Sequence, residues 1–170
     1  MKKIALIYSF NTVKTRKAAE RIANEFGHEH IVMLNAEDVT SKDFLEHDYL
    51  ILGLPTWFDG ELPNYWDEFV PELEDLNLKG KKAALFGLGD QKGYPENFGD
   101  ALGIMADILE KCGAEIIGFT DSAPYDFETS EALRGEEFCG LMLDQENQPK
   151  LSEKRIRDWV KELKRDFLIK

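Results

Sequence analysis

Three short segments of this chain carry residue types whose spacing suits a flat, phosphorylated ligand. The first, Ser9-Phe10-Asn11-Thr12-Val13-Lys14-Thr15, sets hydroxyl and amide side chains beside the N–H groups that a helix start leaves unpaired, and such a place suits a phosphate. A threonine there is also a plain N-cap. Lys14 is read either as a cation beside that phosphate or as a solvent-facing lysine. The second segment, Pro55-Thr56-Trp57-Phe58-Asp59-Gly60, and the third, Gly87-Leu88-Gly89-Asp90 through Tyr94 and Asn97, put large aromatics into loops that would ordinarily be polar. Taken singly, Trp57 or Tyr94 reads as a lid over the core. Two such loops flanking one crevice next to a phosphate cradle read as the walls of a site for a planar molecule.

The elements that must position these segments follow from periodicity. Lys3 to Tyr8 is a continuous apolar run, as expected of a strand buried on both faces. From Thr15, Ala18, Ala19, Ile22, Ala23 and Phe26 recur at helical spacing, with Gly27 as terminator. His30 to Leu34 reads as a second strand, the Ser41-Lys42 region as a short helix, and Tyr49 to Leu52 as a third strand. Trp66, Phe69, Val70 and Leu73 mark a helical face that Pro71 must kink or end. Lys82 to Phe86 is a fourth strand. Phe98, Leu102, Met105, Ala106 and Leu109 form a helical stripe that Gly113 can close. Ile116, Ile117 and Phe119 begin a fifth strand, the polar Thr120 to Glu137 reads as a loop-like insertion splitting it, and Phe138 to Leu143 resumes it. The last helix buries Ile156, Trp159, Val160, Leu163 and Phe167, with Ser152 as its expected N-cap.

Strict alternation of strand and helix predicts a parallel sheet covered on both faces, because parallel neighbours need right-handed crossovers. In such sheets ligands bind beyond the carboxyl ends of the strands where strand order reverses. The commonest order for five such strands is 2-1-3-4-5, which would put that point between strands one and three, where the three segments are expected to converge.

Composition sets the limits. The 170 residues are 43% hydrophobic and 32% charged, a balance for one packed domain spanning 1–170. The formal net charge of -12 disfavours nucleic acid and anionic membrane surfaces and favours basic partners. Cys112 and Cys139 are too few and too far apart for a disulfide framework or a metal pair, and read as core thiols. With no run of transmembrane length and no secretory leader pattern, the expected compartment is the cytoplasm.

The loops Pro55-Thr56-Trp57-Phe58-Asp59-Gly60-Glu61-Leu62 and Phe86-Gly87-Leu88-Gly89-Asp90-Gln91-Lys92-Gly93-Tyr94 closely resemble the two flavin-binding loops of flavodoxins. The likeness continues through Asn97 to Gly103, through Phe138 to Asp144 with Glu146-Asn147-Gln148, and into the closing helix around Trp159. The insertion before the last strand makes the chain most similar to the long-chain branch. What the resemblance implies is a flavodoxin-like three-layer α/β/α sandwich that binds FMN without a covalent bond. Trp57 and Tyr94 would pack on opposite faces of the isoalloxazine. Asp90 and its neighbours would offer backbone N–H groups to the pyrimidine edge, and Thr56 with Ser9 to Thr15 would hold ribityl and phosphate oxygens. The Phe58 carbonyl would flip to accept a hydrogen bond from the N5–H of the one-electron-reduced flavin, with Gly60 keeping that loop supple. Against the family's T/S-x-T-G-x-T phosphate loop, Phe10 replaces a hydroxyl residue and Val13 replaces glycine.

The implied function is low-potential, one-electron transfer between semiquinone and hydroquinone, with no catalytic residue and no metal. The expected partners are basic faces of a flavin- or iron-sulfur-containing reductase and of electron-accepting enzymes, met by a monomer. Two rivals share the architecture. A flavin-dependent NAD(P)H or quinone reductase needs room over the flavin that Trp57 and Tyr94 would close. A receiver-type signalling module wants a carboxylate cluster after strand one and an aspartate ending strand three, where this chain has Ser9-Phe10-Asn11 and Gly53.

Overall fold

The computed structural model describes residues 4–57 and 59–169. Lys3 and Phe58 lie outside the described residues. A parallel sheet runs in the order β2-β1-β3-β4-β5, from β1 (Ile4–Tyr8), β2 (Ile31–Asn35), β3 (Tyr49–Gly53), β4 (Lys82–Leu88) and β5 (Glu115–Ile117). The helices are α1 (Lys14–Phe26), α2 (Ser41–Glu46), α3 (Asn64–Asp67), α4 (Val70–Glu74), α5 (Asp100–Lys111) and α6 (Ser152–Asp166). This is the expected order, with helices on both faces.

Side-chain alternation along each strand divides the core into two layers. Ile4, Leu6 and Tyr8 join Ile22, Phe26, Trp159 and Leu163 of α1 and α6. Ala5 and Ile7 face the other way, toward Phe44, Trp66, Leu102 and Met105. Burying each Ile, Leu, Phe or Met of these layers contributes about 1.5–3 kcal/mol, so burial on both faces holds the sheet.

Local details correct several expectations. β2 starts at Ile31, because His30 ends a 3-10 turn over His28–His30. The helix around Pro71 is two short helices, and Pro71 sits in the first turn of α4, where a missing N–H costs nothing. Ser152 is not an N-cap: it already has helical φ and ψ (-60° and -43°), a 3-10 turn over Pro149–Leu151 leads into it, and its Oγ donates to Gln145 Oε1.

The inserted stretch is not simply a loop. It forms β6 (Thr120–Asp121), β7 (Leu133–Arg134) and β8 (Glu137–Phe138), an antiparallel sheet ordered β6-β8-β7. Phe138 therefore pairs with Thr120 and Leu133, not with the main sheet. Only β9 (Leu141–Leu143) rejoins it, beside Phe86–Leu88 of β4. The reason is strand length: β5 covers only Lys82–Ala84 of β4, leaving the upper part of that edge free. Gly140 marks the crossing, since a Cβ there would stand 2.3 Å from the Leu85 carbonyl oxygen.

Candidate functional site

A cavity of about 510 Å³ opens at the carboxyl ends of β3 and β4. Thr56 and Trp57 form one wall, and Leu88, Gly89, Asp90, Tyr94, Asn97, Phe98 and Gly99 form the other. A recess of about 240 Å³ continues from it past Lys14, Gln145 and Glu146. Trp57 and Tyr94, on different loops, thus line one open space.

Trp57 is fixed at its backbone: its N–H donates to Glu61 O at 2.8 Å and its carbonyl accepts from Glu61 N–H at 2.7 Å. Its ring stands edge-on to Tyr65, with centroids 5.8 Å apart and planes at 90°. The Tyr65 hydroxyl is buried with no hydrogen-bond partner among the described residues, and burial, then the charge of Glu37, pushes its pKa up. Gly60 closes the turn at φ +94°, and a Cβ there would stand 2.4 Å from Asp100 Oδ2. That packing makes Gly60 a close-approach residue. Tyr94, by contrast, is 62% exposed.

The loop after β4 is shaped from below by two carboxylates. Asp90 accepts from Gly93 N–H at 2.8 Å, Lys92 N–H at 3.2 Å and Asn147 Nδ2 at 2.7 Å. The Gly93 bond, then the Asn147 bond, holds its pKa below the usual carboxylate range. Asp144, 0% exposed, accepts from the Gln91 backbone and side chain at 3.0 and 2.7 Å and from Asn147 Nδ2 at 2.9 Å. It also accepts from the N–H groups of Glu146 and Asn147 at 3.1 and 3.0 Å. Burial pushes the Asp144 pKa up, but these bonds outweigh it and the net shift is down. Gly89 N–H goes to Leu143 O and Tyr94 N–H to Asp90 O. No acceptor for the Asp90 N–H is found among the described residues.

The insertion supports this wall from behind. Phe98 packs against Tyr125, Phe127 and Phe138 with centroids 5.6, 5.4 and 5.8 Å away. Gln91 Oε1 accepts from Asp126 N–H at 2.6 Å.

Of the residues expected at the site, Thr56, Trp57, Leu88, Gly89, Asp90, Tyr94 and Asn97 line the cavity, and Lys14 lines the recess. Asn97 also bridges the two aromatic loops, donating to Asp59 O and Asp100 Oδ2, both at 3.1 Å. Thr56 Oγ1 accepts from Ala101 N–H at 3.1 Å, docking its loop on α5. Val13 lies in an adjoining groove of about 390 Å³. Ser9, Phe10, Asn11, Thr12, Thr15, Pro55, Asp59, Gly60 and Gly87 line neither the cavity nor the recess. Phe58 falls outside the described residues. Val13 has φ -97° and ψ -60°, a right-handed conformation open to any residue, so no glycine is needed there. Phe10 turns its ring toward Tyr8, at 5.1 Å. Lys14 forms an ion pair with Glu146, both side chains about half exposed.

Sequence reasoning missed Phe98 and Gly99 as lining residues, and Glu37, whose contacts are described below. The signal for Glu37 was strand order, which sets the end of β2 beside the end of β1. Cys112 and Cys139 are buried thiols, with burial pushing Cys139 up to about 11. Among the described residues no cluster of His, Cys, Asp and Glu could hold a metal ion, and no helix is long and apolar enough to cross a membrane.

The fold and cavity define a doubly wound α/β protein with an aromatic-walled cleft at the carboxyl ends of β3 and β4, next to the strand-order reversal between β1 and β3. The flavodoxin family profile matches residues 6–159. The chain is 44% identical to a flavodoxin of Synechococcus elongatus over 98% of its own length and 99% of the relative's. It is 42% identical to a flavodoxin of Nostoc sp. strain PCC 7120, covering 98% of each. The crystal structure of Fusobacterium nucleatum flavodoxin bound to flavin mononucleotide superimposes with a TM-score of 0.92 at 32% identity, covering 98% of this chain and 99% of that one. The chain belongs to the flavodoxin family.

Proposed function

We propose that residues 1–170 form one domain of the long-chain branch that binds a single FMN non-covalently and passes single electrons between a reductase and acceptor enzymes. One observation carries this reading: Trp57 and Tyr94 line the same open cavity at the carboxyl ends of β3 and β4, in a fold shared over almost its whole length with an FMN-bound relative. FMN supplies the redox chemistry when bound. The chain supplies the rest. Trp57 and Tyr94 offer aromatic faces to a ring system, while Leu88 and Phe98 keep water from it. The Asp90 N–H, left without an acceptor among the described residues, is the donor for a pyrimidine edge. Thr56, Lys14 and the loop from Ser9 to Thr15 serve the ribityl and phosphate end, where α1 begins with amides that lack intrahelical acceptors.

The acidic residues Asp90 and Glu146 are among those that line the cavity and its recess. They oppose the negative charge of the fully reduced ring, which lowers the potential of the second electron by about 59 mV for each tenfold bias. The carrier therefore works between its one-electron-reduced and fully reduced levels. A stepwise reductive titration followed by visible absorbance tests this: the purified chain is yellow, and the one-electron-reduced form accumulates midway. A colourless protein with no affinity for FMN overturns the cofactor reading; direct passage to the fully reduced form overturns the redox reading. We read the chain as a carrier, so turnover with NAD(P)H and a quinone stays negligible until a partner reductase is added. Rapid turnover of the chain alone favours the reductase alternative. The net charge of -12 supports steering of this cytoplasmic monomer toward basic partner faces, with association that weakens as salt rises.

A further inference from the structure

The loop assigned to the phosphate is held by the end of the neighbouring strand. Ser9 Oγ and Asn11 Nδ2 both donate to Oε2 of Glu37, each at 2.6 Å. Phe10 N–H donates to Asn35 Oδ1 at 3.2 Å, and the same oxygen accepts from Glu37 N–H at 3.2 Å, so Asn35 sets where Glu37 leaves β2. Ser9 Oγ in turn accepts from Asn11 N–H at 3.3 Å, and Thr12 Oγ1 donates to Ser9 O at 2.7 Å. Every residue from Ser9 to Thr12 is thereby tied into one network whose anchor is a carboxylate 28 positions downstream of Ser9. Hydrogen bonds to an ionised acceptor are the stronger kind, and two of them converge here on one oxygen.

The placement of this network matters as much as its strength. Ser9, Asn11 and Glu37 line neither the cavity nor its recess, whereas Lys14, at the first turn of α1, does line the recess. Glu37 therefore grips the loop from behind. The loop needs such a grip, because Phe10 contributes no hydroxyl and its ring packs on Tyr8, leaving the orientation of the α1 amides to contacts made elsewhere.

We propose that Glu37 is a positioning residue of the phosphate loop, clamping Ser9 and Asn11 so that the first amides of α1 stay aimed at the phosphoryl group of the bound flavin. The proposal rests on the FMN reading above. It opposes a simpler view in which a carboxylate near a phosphate only repels it, and the two views give opposite signs. A clamp is lost in Glu37→Ala and kept in Glu37→Gln, whose amide oxygen still accepts from both donors. Repulsion is relieved in both variants.

The experiment titrates the apo forms of the natural chain, Glu37→Ala and Glu37→Gln with FMN and, separately, with riboflavin, which lacks the phosphate, following flavin fluorescence. For the clamp, the FMN Kd rises about tenfold or more in Glu37→Ala and stays within about threefold in Glu37→Gln. The riboflavin Kd is unchanged in both. Asn11→Ala, which removes one exposed donor, shifts the FMN Kd in the same direction by less, and tests the clamp even if Glu37→Ala fails to fold. Tighter FMN binding in both Glu37 variants overturns the proposal in favour of repulsion. Equal losses for FMN and riboflavin, or an unchanged FMN Kd in Glu37→Ala and Asn11→Ala, also overturn it. A natural chain that binds neither flavin removes the cofactor reading instead, a distinct result.

Discussion

The two ends of the cleft are built by different physics. At the end proposed for the ring, the loop after β4 stands on a wholly buried carboxylate, Asp144, and on Phe98, which packs into the aromatic cluster of the insertion. At the end proposed for the phosphate, the loop after β1 is tied by polar contacts near the surface, through Glu37, Asn35 and the half-exposed Lys14–Glu146 pair. Buried support couples a site to the stability of the domain; exposed polar support sets local geometry and leaves stability nearly untouched. Substitutions at the ring end should therefore cost folding free energy along with flavin affinity, and those at the phosphate end affinity alone.

Phe98→Ala is the largest test of that contrast. It removes a side chain that is 1% exposed and joins the insertion to the cavity wall, and is expected to cost about 3–5 kcal/mol in urea unfolding. A loss below about 1 kcal/mol would show that the insertion does not brace the wall.

Asp144→Ala comes next. It strands the N–H groups of Gln91, Glu146 and Asn147, and about 3 kcal/mol of destabilisation is expected. The same residue gives the pH dependence. Its folded pKa lies below the ordinary 3.8, so its contribution is complete above that value and disappears as pH falls through the lower folded pKa. Asp90 acts in the same direction. Acid should thus loosen the ring-end loop first, seen as flavin fluorescence released below about pH 4 before the far-UV circular dichroism changes. Release only in step with global unfolding would contradict this order.

Lys14→Ala is the smallest. An ion pair between half-exposed side chains is worth about 0.2–1 kcal/mol, so unfolding midpoints should barely move. Any fall in FMN affinity should stay under about fivefold and vanish at high salt.

The alternation of apolar runs and helical stripes, the glycine after α1 and the two aromatic loops were all legible along the chain, because each is a local pattern of period two or 3.6 or a residue out of place in a loop. The strand order was the commonest choice for such an alternation, and the placement of Trp57 and Tyr94 around one cavity was what the resemblance of their two loops implied. What local pattern could not contain was decided in three dimensions. That Phe138 leaves the main sheet depends on how far β5 extends along β4. Ser152 lies inside a helix because the preceding turn is already wound. Glu37 reaches Ser9 and Asn11 only because β2 pairs with β1 in register, Tyr8 beside Asn35. Sequence sets which surfaces must be buried, since burial is a property of side chains. Which distant carboxylate meets which loop is set by strand pairing, a relation between residues far apart in the chain, and it exists only once the sheet has formed.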